Sequence, residues 1–421
     1  MSMNVRDILK SKQVLNGGLF VLYSFLNKGI GFLLLIILAS FIAPDEYGRY
    51  SLFTTVVSFL GFFISLSTDG YLSVSYFKTN KEGFRTDVTS IMVITMGMFI
   101  LLSFLLLFIG DSMSCRLDLP ENLLWVALVI SLLKVFYNMH LNYLRIQEKV
   151  LLYGVQSCGY ALVNFILALV LVVVLNKGWE GQVYAQFLCV IICGIAGLFL
   201  LIKSNLLSKN ISKSGIVMLL VWGVPLIPHL ATTWIRQGLD KYIINYSYSL
   251  TEVGIFSFAL NLTVIIEMIG SSMNSVFSVD LFNILSNHNL TKEEKKQKLC
   301  SQTRFLFTVI IMSTIIIVVG VFTVIPFAMP RYKGSLIYFL ILSGYGFFRS
   351  IYYLFSNYFF YWKKTKQLMY ITVGMSLLHL FLSLVITRYS LYLTAGVYCI
   401  TQFLTVAIVW YFANKMKRNY L

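Results

Sequence analysis

The sequence predicts an all-α polytopic membrane protein with 12 transmembrane helices, and three observations support this prediction. Of the 421 residues, 58% are hydrophobic and 12% are charged, whereas soluble domains have about 45–50% apolar and about 25% charged residues. The apolar residues fall in long runs, most of which exceed the roughly 20 residues that a helix needs to cross a bilayer. Basic residues are concentrated in alternate loops between these runs.

Polar breaks between the apolar runs set the predicted order of the spans. The runs lie at about 14–43, 51–76, 87–110, 122–145, 151–176, 182–203, 215–242, 252–283, 305–328, 335–361, 368–387 and 392–413. They predict an N-terminal six-helix lobe over 1–203, a cytoplasmic linker over 204–214 and a C-terminal six-helix lobe over 215–421. The polar start "MSMNVRDILKSKQ" is predicted to be a cytoplasmic tail, because the run after it is too long for a signal peptide.

The distribution of lysine and arginine predicts the orientation of the chain. With a cytoplasmic N-terminus, the inside loops and tails hold 22 basic residues and the outside loops hold 6. Such a bias is typical of the positive-inside rule, so both termini are predicted to be cytoplasmic. The same rule explains the net charge of +16 without nucleic acid as a partner. The six cysteines form no CxxC pair, so neither a metal site nor a disulfide framework is indicated.

An internal repeat links the two predicted halves. The segment "EYGRYSLF" from Glu46 enters the second span, and "EVGIFSFA" from Glu252 enters the eighth, at an offset of 206 residues. Six helices per half would give both halves the same orientation, which predicts parallel repeats of the kind found in many transporters. A cleft between such halves would be a natural substrate path.

Three segments resemble polysaccharide flippases of the multidrug/oligosaccharidyl-lipid/polysaccharide exporter superfamily. These are "IILASFIAPDEYGRYSLF" at 36–53, "LNYLRIQEKVLLYG" at 141–154, and "GVPLIPHLATTWIRQGLDKY" at 223–242 followed by "EVGIFSFALNL" at 252–262. The chain is most similar to the Wzx-type O-antigen and capsule-repeat flippases. One departure is Asp240-Lys241, where relatives often carry Asp-Arg; lysine keeps the charge but loses the bidentate donor fork.

The resemblance implies a fold, a substrate and a mechanism. The fold would be two six-helix lobes around a central V-shaped cavity. The substrate would be undecaprenyl-pyrophosphate carrying an O-antigen or capsule-type oligosaccharide, moved across the bacterial inner membrane by alternating access. Transport would be coupled to H⁺ or Na⁺ and would need no cofactor. The partners would be membrane lipids and other polysaccharide-assembly proteins.

Five basic residues lie inside predicted spans and are candidate ligands of the pyrophosphate: Lys28, Lys134, Arg236, Lys241 and Arg349. A charge at the centre of a spanning helix is unfavourable by about 2.5–3.5 kcal/mol on insertion scales, which makes it a candidate functional group. Fixed cations could replace the water around a polyanion. For Lys28 and Lys134 a structural ion pair is the alternative. Arg236 and Lys241 could instead lie at the outer interface, where a lysine can extend its ammonium into water, and Lys241 could pair locally with Asp240. Pro225 and Pro228 predict an interruption of the seventh span.

The first span gives Lys28 a polar stripe. Neighbours at helical spacings of three and four are mostly small or polar, which predicts that this face points into the bundle. These neighbours are Gly17, Val21, Ser24, Gly31 and Leu35.

Acidic residues in the spans are candidates for ion coupling. Glu267 shares a helix face with Thr263, Ser271, Asn274 and Ser278, so it is the leading candidate. Asp69 and Asp280 are further candidates, although each lies near a helix end where a structural role is the alternative. The intramembrane histidines at 140, 229 and 379 are interpreted as packing residues.

Other classes of function agree less well with the sequence. A cation-coupled multidrug exporter of the same superfamily is the main alternative, but its cationic substrates would favour an acidic cavity. A glycan polymerase or ligase would need a long catalytic outer loop, and the predicted outer loops are short, so the chain is predicted not to be an enzyme. No metal site is predicted.

Overall fold

The computed structural model of the protein describes residues 12–287 and 289–420, and it is helical throughout these ranges apart from short connections. Eleven helices are long and apolar enough to cross a membrane, or twelve if one bent pair counts as a single span. The predicted all-α, twelve-span fold is therefore confirmed. The predicted N-terminal tail, up to residue 11, lies outside the described residues.

The α-helices are numbered here in chain order. They are α1 Lys12–Phe41, α2 Pro44–Ile64, α3 Tyr71–Lys78, α4 Lys81–Leu117, α5 Glu121–Ile146, α6 Val150–Ala168, α7 Gly178–Lys203, α8 Lys213–Gly223, α9 Ile227–Trp234, α10 Asp240–Ser247, α11 Leu250–Ser286, α12 Lys292–Ala328, α13 Ser335–Tyr361, α14 Thr365–Ile386 and α15 Leu391–Tyr420.

Packing divides the chain into two compact units. The first comprises Met1–Ile42 and Arg49–Trp234, and the second comprises Ala43–Gly48 and Ile235–Leu421. The second border lies inside the predicted seventh span, because α8 packs in the first unit: a Cβ on Gly223 would lie 2.5 Å from the Leu66 carbonyl oxygen. The division into lobes at 204–214 stays a prediction.

In the first unit, α5 is the central helix, and α7 packs closely against it. Gly194 and Gly197 of α7 lie against the backbone of α5, where added Cβ atoms would come within 2.8 Å of the Leu133 carbonyl oxygen and 3.2 Å of the Tyr137 Cα. Small residues at such spacing let helix backbones approach in a membrane, where association depends on close packing.

In the second unit, α11, α13 and α15 form the centre. Gly270 of α11 lies against Ser350 of α13, and Gly346 of α13 lies against Thr263 of α11. A core of large side chains fills one end of this unit, with Phe277, Leu281, Leu354 and Tyr358 each 3% exposed or less. This unit carries most of the charged groups discussed below.

The second span is bent, whereas the sequence predicted one run over 51–76. Helix α2 and the following turn with α3 meet at 66°. Leu66 and Ser67 have left-handed backbone angles, with φ of 48° and 58°, and residues in that region interrupt a right-handed helix. The Ser65 hydroxyl donates to the Asp69 carboxylate at 2.7 Å, which stabilises the bend.

Two predicted loops are largely helical. Helix α4 continues to Leu117, so most of the outer loop predicted near 111–121 is helix. Helix α12 begins at Lys292, well inside the inner loop predicted over 284–304. Thr291 and Glu294 cap its first turn reciprocally, as in a capping box. Its 37 residues span about 55 Å at about 1.5 Å per residue, more than the roughly 30 Å hydrocarbon core.

The two glycines of the sequence repeat meet within the second unit. A Cβ on Gly254 would lie 1.7 Å from the Pro44 carbonyl oxygen, and a Cβ on Gly48 would lie 2.1 Å from the Leu250 carbonyl oxygen. Both obstacles are backbone atoms, which cannot rotate away as a side chain can. The repeated glycine therefore serves a close crossing of two helix N-termini.

We expect Gly254→Ala to disrupt the packing of α11 against Ala43–Gly48, because the new methyl group overlaps backbone. The variant should give little monodisperse protein in detergent, or a markedly lower melting temperature. Gly320→Ala is the matched control, since no heavy atom lies within 4 Å of the added Cβ there. Equal yield and melting temperature for Gly254→Ala and the wild type would contradict this account of the repeat.

Candidate functional site

A half-buried ion pair joins α11 and α13 in the second unit. Arg349 Nε lies 3.0 Å from Glu267 Oε2, and the two side chains are 22% and 14% exposed. Arg349 also donates to the hydroxyl oxygens of Tyr345 at 2.6 Å and Tyr353 at 3.2 Å. The sequence identified Arg349 and Glu267 separately, and the structure brings them together.

Arg236 is an electrostatic neighbour of Arg349. The acceptors that contact its guanidinium are neutral. It donates to Ser376 Oγ at 3.0 Å, to Gln402 Oε1 at 2.7 Å and to Thr405 Oγ1 at 3.3 Å. Its side chain is 6% exposed, so it is buried inside the protein, and the interface position considered from the sequence stays a prediction. A guanidinium with neutral acceptors keeps its full positive charge inside the unit.

Asp240 and His379 form a second ion-pair contact, and both side chains are fully buried. His379 Nε2 lies 3.0 Å from Asp240 Oδ2, and Ser383 donates to Asp240 Oδ1 at 2.8 Å. On the far side of the ring, Nδ1 lies 3.0 Å from Thr401 Oγ1. The carboxylate is therefore fully engaged by α14, and Lys241 is not its partner.

The Thr401 hydroxyl links the His379 ring to the backbone. Its single proton has three acceptors within reach, Val397 O at 2.7 Å, His379 Nδ1 at 3.0 Å and Tyr398 O at 3.4 Å. When the hydroxyl donates to a backbone carbonyl oxygen, Nδ1–H donates to Thr401 Oγ1. When it donates to Nδ1, the ring proton lies on Nε2 and is donated to Asp240.

An interruption and a wide helical turn in the seventh span position Arg236 and Gln237. The seventh predicted span is interrupted by a 3₁₀ turn at Val224–Leu226, which confirms the break predicted from its two prolines. A π-helical segment follows at Ile235–Leu239. From this segment Arg236 reaches α14 and α15, and Gln237 donates to Tyr345 of α13 at 3.1 Å. π-Segments of this kind are frequent at functional sites.

The environment of the three intramembrane lysines differs from that of Arg236 and Arg349. Lys28 on α1 is exposed, whereas Lys134 on α5 and Lys241 on α10 are half-buried. The thiol of Cys189 is an electrostatic neighbour of Lys134. The two ion pairs found among residues 12–287 and 289–420 are Arg349–Glu267 and Asp240–His379, so none of the three lysines is paired within these ranges.

The structure describes four residues of the polar stripe predicted around Lys28. Ser24, Lys28 and Gly31 are exposed on one face of α1, and Leu35 is half-buried. The side chains at Gly17 and Val21 lie outside the described residues, as does that of His229.

The remaining ion-coupling candidates have local contacts. Asp69 accepts from Ser65 at the bend after α2. Asp280 is exposed on α11, with the Gln302 amide at 3.5 Å. Within the described ranges no group of three or more His, Cys, Asp or Glu side chains could hold a metal ion.

Sequence reasoning missed the partnership of Asp240 with His379. A signal was available, because Ser376, His379 and Ser383 recur at helical spacing on α14, and Thr394, Thr401 and Thr405 recur on α15. Polar stripes on apolar helices indicate a shared buried network. Interpreting His379 as an isolated packing residue overlooked this pattern.

Helices long and apolar enough to cross a bilayer, with charged groups inside them, define a polytopic membrane protein. The chain belongs to the family described as polysaccharide biosynthesis protein, which it matches over residues 14–278. It is 24% identical over 354 residues to a protein of the Lsg locus of Haemophilus influenzae, a match that covers 81% of this chain and 82% of that protein.

Solved structures show the same fold. The lipid II flippase MurJ, in an inward closed conformation, has a TM-score of 0.75 at 13% identity, covering 94% of this chain and 87% of that one. An inward-facing multidrug resistance MATE family transporter of the MOP superfamily has a TM-score of 0.72 at 14% identity, covering 93% and 95%. At these identities the similarity establishes the fold alone.

We expect Asp240→Ala to destabilise the protein, because it leaves His379 and Ser383 buried without their acceptor. Breaking a buried pair in this way costs about 3–5 kcal/mol. Thermal unfolding in detergent should show a clear drop in melting temperature. Asp280→Ala removes an exposed carboxylate and should change stability by less than about 0.5 kcal/mol. Similar melting temperatures for the two variants would contradict a structural role for the buried pair.

Proposed function

We propose that this chain translocates undecaprenyl-pyrophosphate-linked oligosaccharide repeat units of O-antigen or capsule type from the cytoplasmic to the outer leaflet by alternating access. The proposed location is the bacterial inner membrane, with both termini cytoplasmic, as the basic loops predict. The family match supports this proposal, as do the lysines in the spans that have no ion-pair partner among the described residues.

The charge balance of the spans is the observation that carries the proposal. Lys28, Lys134 and Lys241 lie in apolar helices and take part in neither of the ion pairs found among the described residues. Each such charge is unfavourable in hydrocarbon, and a transported polyanion would compensate it during passage. A cationic drug would be repelled by the same groups, which disfavours the alternative of a multidrug exporter.

The pair of Arg349 and Glu267 offers a way to couple an ion to transport. A proton or Na⁺ bound by Glu267 would weaken its hold on Arg349, and the guanidinium would then be available to a phosphate. Pyrophosphate binding would in turn favour ion uptake by Glu267, because the two anions compete for one cation. This coupling requires that the pair open during the cycle.

Hydroxyl and amide groups near the pair suit a glycan. Tyr345 and Tyr353 present hydroxyl groups to Arg349, and Asn357 donates to Asn274 at 2.7 Å further along α13 and α11. Sugars are bound by such neutral donors and acceptors together with aromatic faces. The glycan end of the substrate would exchange these internal contacts for its own.

Replacing Lys28 with Ala is expected to impair flipping, because the substrate phosphate would lose a compensating charge. In a strain that lacks the protein, inward-facing lipid-linked oligosaccharide should accumulate, and the wild-type gene should clear it. Lys28→Ala should leave most of the accumulation in place at normal expression, whereas Lys209→Ala, in the exposed linker, should clear it. Full clearance by Lys28→Ala would remove Lys28 from the mechanism.

A charge swap separates the transport role of Arg349 from a structural one. Glu267→Arg combined with Arg349→Glu keeps an ion pair between α11 and α13, so the melting temperature should recover relative to each single variant. Flipping should not recover, because the cation and the ion-binding carboxylate have exchanged positions. Recovery of both stability and flipping would show that the pair is purely structural.

Drug efflux tests the alternative in the same strains. The flippase proposal predicts no change in resistance to cationic dyes on deletion. A loss of dye efflux together with unchanged lipid-linked oligosaccharide would favour the exporter.

A further inference from the structure

A cavity of about 630 Å³ lies within the second unit, and its lining includes no residue of the two ion pairs. It is formed by three helices: the first turns of α12, the end of α15, and Phe355 on α13. The basic loops predict that this end of the helices is cytoplasmic. Neither the family match nor the buried ion pairs account for this cavity.

The lining is strongly cationic. Five basic residues contribute to it: Lys292, Lys296, Arg304, Lys417 and Arg418. Against them, the described lining contains a single carboxylate, that of Glu293. None of the five basic residues takes part in an ion pair within residues 12–287 and 289–420. The cavity therefore carries a net positive charge that the described chain does not neutralise.

Lys417 is held by aromatic faces in this cavity. Its ammonium lies 4.3 Å from the centroid of the Tyr358 ring and 5.9 Å from that of Phe355, and Tyr358 itself is 1% exposed. A cation over aromatic rings is positioned by their quadrupoles, but its charge is not cancelled as it would be by a carboxylate. The Lys417 ammonium is therefore held in position, and its positive charge is available to an anion.

The cavity passes from a cationic rim to an apolar surface. Trp410 and Phe307 line it and are 50% and 41% exposed, and Met312 and Ile316 on the following turns of α12 are 55% and 67% exposed. Tryptophan is enriched where a membrane protein meets the headgroup layer. A phospholipid has the same order of groups, with a phosphate above its acyl chains.

We propose that this cavity is a binding site for the headgroup phosphate of an anionic phospholipid from the cytoplasmic leaflet. The phosphate lies among Lys296, Arg304 and Lys417, and the acyl chains descend along Phe307 and Trp410. Anionic lipids of that leaflet attract clusters of Lys and Arg near the surface. A zwitterionic lipid fits less well, because its own cation would meet the basic rim.

Cys300 provides a direct readout, because it is an exposed thiol in the lining. The full chain is placed in nanodiscs of phosphatidylcholine or of an equimolar mixture with phosphatidylglycerol. Maleimide labelling is followed by peptide mapping. Cys300 labelling should slow several-fold in the anionic discs, and added salt should reverse part of this protection. Cys115 is exposed and outside the lining, so its labelling should change little.

Matched charge variants distinguish the cavity from a general surface effect. Lys296→Gln with Lys417→Gln should abolish the protection of Cys300. Lys209→Gln with Lys213→Gln removes the same charge from exposed positions and should preserve it. If the first double variant does not fold, Arg418→Gln alone should weaken the protection. Equal Cys300 rates in the two kinds of disc, or protection retained in the cavity variant, would overturn the proposal.

Inorganic phosphate serves as the third arm. Added to phosphatidylcholine discs, it should not protect Cys300, since it lacks the acyl chains that the apolar part of the cavity would hold. Protection by phosphate equal to that by phosphatidylglycerol would reject a phospholipid site in favour of a site for the free ion.

Discussion

The absence of hydrogen-bonding solvent in hydrocarbon is the constraint on which the rest of the structure depends. Every backbone polar group inside a span must be satisfied within the protein, and a buried charge is costly unless it is paired. Asp240 meets this demand through His379 and Ser383, and Arg236 does so through three neutral acceptors. These contacts tie the π-segment to α14 and α15, so the charged groups and the packing of the second unit depend on one another.

The same constraint explains why the spans approach so closely. Lipid tails are as apolar as leucine, so helices gain stability in a membrane from close packing rather than from burial alone. Gly254 against Pro44, and Gly194 against Leu133, show backbone meeting backbone. The repeated glycine is therefore understood through its contact. What the sequence shows as a shared motif is, in three dimensions, the crossing of two helix ends.

Charge in the spans then separates into two kinds. The first kind is paired: Arg349 with Glu267, and Asp240 with His379. These pairs stabilise one conformation, and binding of an ion could release their members. The intramembrane lysines lie outside these pairs, and a transported polyanion is the compensation proposed here. The cationic cavity at the end of α12 and α15 follows the same logic at the membrane surface, where the anion would be a resident lipid.

The sequence by itself determined the spans, the interruption of the seventh span by its prolines, and the identity of the charged candidates, because hydrophobic periodicity and proline geometry are local properties. The predicted loops at 111–121 and 284–304 were partly wrong, since α4 and α12 continue beyond the apolar runs, and Thr291 and Glu294 cap the start of α12. Only the tertiary structure decided that Glu267 pairs with Arg349, that Asp240 pairs with His379 rather than Lys241, and that Lys417 joins residues more than 100 positions earlier in one cavity. The physical reason is that such pairs depend on which helix faces meet, and no local pattern along the chain specifies that meeting.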